Sequence, residues 1–263
     1  MLLLALVLVA VIGYSGSQLW EIRQNNVQEA ELHNRLLQYR PTQQTVTSTD
    51  TSADWHADTP ADRPARDAET NSEPVLHVNQ NIVDLQAALP GVIGWLTVPH
   101  TQIDYPFAQG INNDTYLHMD LDQRWSAAGT IFLDYRNSRD FTDFNTILYG
   151  HHMRNGSMFG TLQRFSEQAF FDANSTGTLF LADKTYEIQF IAFAVIQPND
   201  AVIYNHAIAT EERVTFLEYT QTIARHYRDI GMTEHDQIIT LSTCNYEFHD
   251  ARMVLIGRLV RTS

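Results

Sequence analysis

The first twenty residues carry the longest apolar run of the chain. Residues 1–14 are apolar without interruption, and the small and polar residues 15–18 separate them from Leu19 and Trp20. Fourteen helical residues span about 21 Å, short of the ~30 Å hydrocarbon core of a bilayer, whereas about twenty residues suffice. We therefore expect a single-pass membrane anchor over residues 1–20, with the rest of the chain outside the cytoplasm. A cleaved signal peptide and a buried core helix remain alternative interpretations.

Two polar stretches separate this segment from the remainder of the chain. Residues 21–40 are polar with widely spaced apolar positions, which predicts a juxtamembrane helix with a weak apolar stripe. Residues 41–74 are rich in Thr, Ser, Asp and Pro and contain almost no large apolar residue besides Trp55. Such a segment cannot bury enough apolar surface to offset the entropy of ordering, so we expect a disordered tether.

The folded domain is predicted over residues 75–263, and its pattern is mainly β. A short helix over residues 83–89 stops at Pro90 and Gly91. Short β-rich runs follow, separated by turn residues, and only residues 211–228 show helical spacing over a long stretch. The β-rich runs are residues 92–98, 103–107, 130–135, 146–149, 178–181, 186–196, 237–242 and 253–260. Their number and spacing predict a β-barrel or sandwich with helical insertions.

Composition excludes several classes of function. The chain has 17 basic and 31 acidic side chains, a formal net charge of -14, which disfavours nucleic acid as a partner. Its single cysteine, Cys244, excludes an internal disulfide framework and any metal site built from several thiolates. A His-Glu-x-x-His pattern and a phosphate-binding glycine loop are also missing from the sequence. We therefore expect neither a metal ion nor a cofactor.

The position of the cysteine suits a nucleophile. Cys244 ends the apolar and β-branched residues 238–243, and a rigid strand end can present a thiol to a cleft. A free cysteine also packs well inside a core, so a purely structural role stays open. Because only a few per cent of an ordinary thiol is ionised at neutral pH, catalysis requires a neighbouring base or cation.

Histidine is the usual partner of such a thiol, and one pair stands out. His151 and His152 follow an apolar strand run that ends in Gly150. Neighbouring side chains on an extended segment point to opposite sides, so at most one of the two imidazoles faces a given site. This pattern alone does not decide which one, and a surface role for either stays open.

An arginine near the thiol would stabilise the oxyanion of acyl transfer, because it stays charged and donates several hydrogen bonds. Arg252 begins the last strand run after the turn-like residues 247–251. Pairing of the two flanking strands would return its guanidinium to Cys244. A surface ion pair with a carboxylate of the same turn is the alternative role, and Arg258 is a competing candidate.

Several blocks in order along residues 80–261 point to one family. The most distinctive are NTILYGHHMRNGSMF at 145–159 and TLSTC at 240–244. The others are GWLTV at 94–98, IDYP at 103–106, NNDTYL at 112–117, GTIFLD at 129–134, YEF at 246–248 and AR at 251–252. Together they resemble the class B sortases, membrane-anchored cysteine transpeptidases of Gram-positive bacteria. One departure is His152, where that family often has asparagine.

This resemblance implies an eight-stranded sortase β-barrel with helical additions at the N-terminus and near residues 211–228. It implies that Cys244 attacks the carbonyl after threonine in a sorting signal and forms a thioacyl enzyme. His151 would protonate the leaving amine and deprotonate the incoming one, and Arg252 would hold the substrate carbonyl or its oxyanion. By similarity, the substrate groove is lined by Asn113, Leu117, Ser242 and Thr243.

The sequence therefore predicts a cysteine transpeptidase anchored to the cell membrane. Its expected partners are exported proteins that carry a sorting signal, and an amine from a cell-wall precursor or a pilin lysine. An inactive surface module that binds peptides and a simple cysteine endopeptidase are the alternative functions. Whether the signal starts with Asn-Pro or Leu-Pro, and which amine accepts the acyl group, stays open at this point.

Overall fold

The computed structural model describes residues 2–42, 78–244 and 251–263. The predicted tether over residues 41–74 and the predicted turn over residues 247–251 lie almost wholly outside the described residues. The α-helices of the described ranges are α1 (Leu2–Leu36), α2 (Gln80–Ala88), α3 (Gln168–Ala173) and α4 (Arg213–Ile223), with 3-10 turns at Leu37–Tyr39, Gly160–Ser166 and Thr210–Glu212. The strands are β1 (Val92–Thr97), β2 (Asp104–Ala108), β3 (Ile131–Leu133), β4 (Asn145–His151), β5 (Thr176–Phe180), β6 (Thr185–Ile196), β7 (His226–Tyr227), β8 (Gln237–Cys244) and β9 (Arg252–Arg261).

Eight of these strands close into a barrel. Their order is β5-β1-β2-β3-β4-β8-β9-β6, and pairing of β5 with β6 closes the ring, while the two-residue β7 adds to β6. Alternate residues of the long strands, such as Leu148, Phe190 and Leu241, fill one continuous core. The mainly β fold class and the eight-stranded barrel are confirmed, since every predicted β-rich run contributes a strand.

The predicted membrane anchor over residues 1–20 is wrong, and the membrane localisation drawn from it is overturned with it. α1 is one helix that joins the predicted anchor to the predicted juxtamembrane helix. No helix among the described residues is long and apolar enough to cross a bilayer. The physical reason is that the polar residues 15–18, and then Glu21 and Arg23, interrupt the apolar run after about 21 Å.

The last turns of α1 pack against the barrel. Leu36 is buried, and the ring of His33 lies 4.5 Å from the ring of Tyr105 on β2. Arg35 forms an ion pair of 2.6 Å with Asp122, in the long loop before β3. The weak apolar stripe of residues 21–40 therefore belongs to a helix that docks at its C-terminal end.

The helix predicted over residues 211–228 is shorter than expected. α4 ends at Ile223, and Ala224 is already extended. The following residues form β7, and the N–H of Arg225 donates to the carbonyl of Phe193 on β6. Helical spacing continues beyond Ile223 in the sequence, but the edge of β6 satisfies the backbone groups of these residues instead.

Asn145, fully buried at the start of β4, joins three elements. Its amide donates to the carbonyls of Ile203 at 2.9 Å and Asn205 at 3.0 Å, and its oxygen accepts from the Thr240 hydroxyl at 2.9 Å. Each buried group left unpaired costs about 1–3 kcal/mol. We expect Asn145→Ala to lower the free energy of unfolding by about 2–4 kcal/mol in urea denaturation. Asn199→Ala, on the exposed surface, should change it by less than about 0.5 kcal/mol, and equal losses would contradict this role of Asn145.

Candidate active site

The three residues that the sequence singled out for catalysis share one row across the sheet. β4 and β8 are parallel neighbours, and their register sets His151 directly beside Cys244. β8 and β9 are antiparallel, with Ser242 opposite Val254. Continuing that register by two residues sets Arg252 opposite Cys244. Three adjacent strands therefore bring together residues that lie far apart in the sequence.

The His151 side chain is fixed by the backbone of the loop between β2 and β3. The residue is 8% exposed, and its Nε2 lies 2.6 Å from the carbonyl oxygen of Leu117. Because a carbonyl oxygen only accepts hydrogen bonds, we assign the proton to Nε2. The other ring nitrogen, Nδ1, is then the one that can exchange a proton with a reacting group.

The surroundings of His151 favour its neutral form. Burial lowers the pKa of His151, the hydrogen bond to the Leu117 carbonyl raises it, and the nearby His118 and Arg252 lower it, so the net direction is downward. The ring of His118 lies 5.4 Å from the ring of His151, measured between centroids. Once protonated, such a histidine gives up its proton readily, as an acid that protonates a leaving amine must.

Gly129 allows the Leu117 carbonyl to approach His151. The φ angle of Gly129 is +59°, and a Cβ at this position would lie 2.4 Å from the carbonyl oxygen of Leu117. The next residue holds the same loop, since the N–H of Thr130 donates to the carbonyl of Tyr116 at 3.0 Å. A side chain at position 129 would therefore displace the acceptor that orients the imidazole.

Gly150 gives room for the segment that covers the end of β4. A Cβ on Gly150 would lie 2.8 Å from the ring of Phe159. The N–H of Phe159 donates to the carbonyl of His151 at 2.9 Å. The chain thus folds back over the strand end and holds the His151 backbone, which explains why glycine directly precedes this histidine.

The second histidine of the pair points to a different partner. Nε2 of His152 lies 3.0 Å from Oε1 of Gln163, and the His152 backbone bridges to Met158. The two imidazoles therefore separate as expected for neighbours on an extended segment. His151, not His152, lies beside the strand position of Cys244.

The competing arginine lies at the far end of β9. Arg258 donates to Oε1 of Gln189 at 2.6 Å and 3.1 Å, and it lies 3.7 Å from Asp236. Six residues of strand, about 20 Å, separate it from Arg252. Arg252, by contrast, lies close enough to lower the pKa of His151.

A polar groove beside β4 is lined by Arg136, Tyr149 and Tyr204 together with the loop after β6, and sequence reasoning did not identify these residues. The Tyr149 ring lies 6.0 Å from the Tyr204 ring, and the Tyr204 hydroxyl shares a hydrogen bond of 2.9 Å with the Ser242 hydroxyl. Strand alternation could have identified Tyr149, because it precedes His151 by two positions on β4 and shares its side of the strand. Tyr204 comes from the loop after β6, and no motif or periodicity marks it.

Asp134 holds a fixed negative charge beneath this groove. Its fully buried carboxylate accepts hydrogen bonds from Arg136 at 2.7 and 2.9 Å, from Asn113 at 3.2 Å and from the Tyr149 hydroxyl at 3.1 Å. Burial by itself would raise the pKa of Asp134, but the bonds from Arg136 and Asn113 outweigh it and hold that pKa below its usual value. Burial and the Asp134 charge raise the pKa of Tyr149, so Tyr149 remains a neutral hydrogen-bond donor.

The four residues predicted to line the groove fall into two groups. Asn113 bonds to Asp134 beneath the groove, and Leu117 presents its carbonyl to His151. Ser242 is fully buried and contacts the groove through its hydrogen bond to the Tyr204 hydroxyl. The side chain of Thr243 is buried, and its hydroxyl accepts a hydrogen bond of 3.0 Å from the N–H of Met253 on β9. Since Thr243 alternates with Ser242 along β8, it points away from the groove.

A row of imidazole, cysteine and guanidinium beside a polar groove is suited to acyl transfer. The imidazole offers one nitrogen for proton transfer, and a guanidinium stabilises a developing oxyanion. Within the part of the chain that the structure describes, no three His, Cys, Asp or Glu side chains cluster as metal ligands.

Comparisons with known proteins agree on one family. The model of the sortase domain matches residues 96–260. Sortase B of Listeria monocytogenes is 38% identical over 190 residues, which cover 70% of this chain and 75% of that protein. A solved sortase B–substrate complex of Staphylococcus aureus superposes with a TM-score of 0.67 at 27% identity, covering 71% of this chain and 88% of that one. A class B sortase of Streptococcus pyogenes involved in pilus biogenesis has a TM-score of 0.63 at 32% identity, covering 68% and 97%.

Proposed function

This chain belongs to class B of the sortase family, the cysteine transpeptidases, and we propose that Cys244, His151 and Arg252 are its catalytic residues. The register across β4, β8 and β9 supports the proposal, because His151 pairs with Cys244 and extension of the β8–β9 register by two residues brings Arg252 opposite Cys244. We assign the catalytic domain to residues 75–263. Its substrates are proteins with a C-terminal sorting signal, and its second substrate is an amine.

The first half of the reaction forms a thioacyl enzyme. Nδ1 of His151 takes the proton of the Cys244 thiol, and the thiolate attacks the carbonyl carbon after threonine in the sorting signal, so that a carbon–sulfur bond forms and the carbonyl electrons move onto oxygen. The Arg252 guanidinium stabilises this oxyanion. When the intermediate collapses, the carbon–nitrogen bond breaks, and Nδ1 of His151 gives its proton to the leaving amine.

The second half transfers the acyl group to the acceptor. The nitrogen of the incoming amine attacks the thioester carbon, and Arg252 again stabilises the oxyanion. His151, now neutral, accepts a proton from that nitrogen as the new amide forms, and the carbon–sulfur bond breaks to restore the thiolate. The lowered pKa of His151 suits this alternation between acid and base.

The polar groove beside the row binds the sorting signal. The rings of Tyr149 and Tyr204, which line it, offer flat apolar surfaces to an extended peptide. Asn113, Leu117 and Ser242 hold Asp134, His151 and Tyr204 in place beside it. Thr243 contributes indirectly, because its bond to the backbone of β9 holds the strand that carries Cys244.

The test of this function is peptide ligation by the full chain. We expect the chain to join a sorting-signal peptide, cleaved after threonine, to triglycine or to a lysine side chain, with the product identified by mass spectrometry. Donor peptides that begin with Asn-Pro and Leu-Pro are compared, and the two amines separate a peptide acceptor from a pilin-type lysine. Hydrolysis without ligation at saturating amine would favour an endopeptidase, and binding without cleavage would favour an inactive module.

Arg252 and Arg258 provide a matched pair of variants for the role of the oxyanion donor. We expect Arg252→Ala to lower kcat/KM of donor cleavage about 10²- to 10³-fold, the usual effect of losing one such donor. Arg258→Ala removes the same charge from the far end of β9 and should keep most of the activity. A larger loss in Arg258→Ala than in Arg252→Ala, at equal folded fraction in circular dichroism, would reverse the assignment.

A further inference from the structure

A second imidazole lies against His151. The centroid of the His118 ring is 5.4 Å from that of His151, with the two planes tilted by 35°. His118 directly follows Leu117, whose carbonyl orients His151, and the N–H of Ser126 donates to the His118 carbonyl at 3.0 Å. One loop therefore positions both histidines, and His118, unlike His151, is exposed to solvent.

Aminolysis of the thioester by an ammonium ion releases two protons, and a single histidine can take up only one of them. Amines in water at pH 7 are mostly ammonium ions, since an α-amino group has a pKa near 8 and a lysine near 10. An ammonium nitrogen must lose one proton before it can attack and a second proton before the amide is complete. Two protons therefore leave each acceptor that arrives as an ammonium ion.

His151 accommodates only one of these protons. Its Nε2 is committed to the Leu117 carbonyl at 2.6 Å, which leaves Nδ1 as its only site for proton transfer. After acylation His151 is neutral, because it has protonated the leaving amine. One of the two protons of the incoming ammonium ion must therefore go to another base or to water.

We propose that His118 is a second general base, which removes the first proton from the acceptor ammonium ion and passes it to solvent. The proposal rests on the proposed transpeptidase function. The ring centroids are 5.4 Å apart, so an acceptor nitrogen that approaches His151 on the side of His118 meets both imidazoles. The neutral amine then forms the carbon–nitrogen bond, its second proton goes to His151, and the proton on His118 leaves to water through its exposed face.

The charges around the pair are consistent with this order of events. Two charged or titratable groups of the described residues, His118 and Arg252, act to lower the pKa of His151. A proton that stayed on His118 would disfavour protonation of His151. Its transfer to solvent therefore restores the state in which His151 can accept the second proton.

The test compares two acceptors that differ in protonation at pH 7. Triglycine is mostly an ammonium ion, whereas hydroxylamine is a weaker base and mostly neutral. The measured quantity is the ratio of aminolysis to hydrolysis of the thioacyl enzyme, since this ratio does not depend on the rate of acylation. In full-length His118→Asn we expect the ratio with triglycine to fall at least tenfold, in the range of general base catalysis, while the ratio with hydroxylamine stays at the parental value.

Two further variants separate proton transfer from packing. His118→Phe keeps a flat ring against His151 and should show the same selective loss as His118→Asn. His152→Asn removes the neighbouring imidazole and should leave both ratios unchanged. Equal loss with both acceptors, or no loss with triglycine, would overturn the role of His118. Absence of donor cleavage in the parent chain as well would contradict the transpeptidase function itself.

Discussion

Replacing Cys244 with alanine is expected to abolish both cleavage of the donor peptide and its transfer to an amine. Without the sulfur no thioacyl intermediate forms, and loss of a covalent nucleophile lowers kcat by roughly 10⁴-fold or more. Mass spectrometry of the intact chain, after incubation with donor peptide and no amine, should show one acyl group on the parent and none on Cys244→Ala. Because Cys244 is the only cysteine of the chain, the site of the adduct is unambiguous.

Cys244→Ser is the matched variant, since it keeps the size of the side chain but replaces the thiol by a hydroxyl that is hardly ionised at neutral pH. It should bind the donor peptide like the parent and turn it over far more slowly. Iodoacetamide should modify the parent once and leave Cys244→Ser unmodified, because Cys244 is the only thiol of the chain. Donor cleavage that survives in Cys244→Ala would remove the thiol from the mechanism.

The barrel could be predicted from sequence because each strand carries its own signal. Residues 186–196 and 253–260, for example, are rich in apolar and β-branched side chains, which is a local property of the chain. The row of His151, Cys244 and Arg252 depends in addition on which strands are neighbours. No periodicity reports the parallel pairing of β4 with β8, and the family resemblance supplied only the roles of the three residues.

Predictions failed where distant parts of the chain compete for the same segment. Residues 224–228 continue a helical pattern, but the edge of β6 offers them backbone partners. The first twenty residues look like a membrane anchor in composition, yet α1 continues without a break into the polar stretch that docks on the barrel. Tyr204 reaches the groove from a loop whose path is set by tertiary packing alone.

Replacing His151 with alanine is expected to lower turnover about 10³-fold, the second largest effect after loss of the thiol. The imidazole is the group that protonates the leaving amine, and no other side chain shares its hydrogen bond to the Leu117 carbonyl among the described contacts. The measurement is kcat/KM for donor cleavage across pH 5 to 9. His151→Gln, which can still donate to that carbonyl, should fold like the parent and remain equally slow, so that the loss reflects proton transfer and not the shape of the loop.

His152→Ala is the control that the sequence itself provides, because the two histidines are neighbours of identical chemistry. Its imidazole bonds to Gln163 and lies away from the row, so most of the activity should remain, and its pH profile should match that of the parent. Strand alternation requires this asymmetry, since only one of two successive side chains can face the Cys244 end of β8. Comparable losses in the two alanine variants would mean that proton transfer passes through both imidazoles, and the single-acid mechanism would then be wrong.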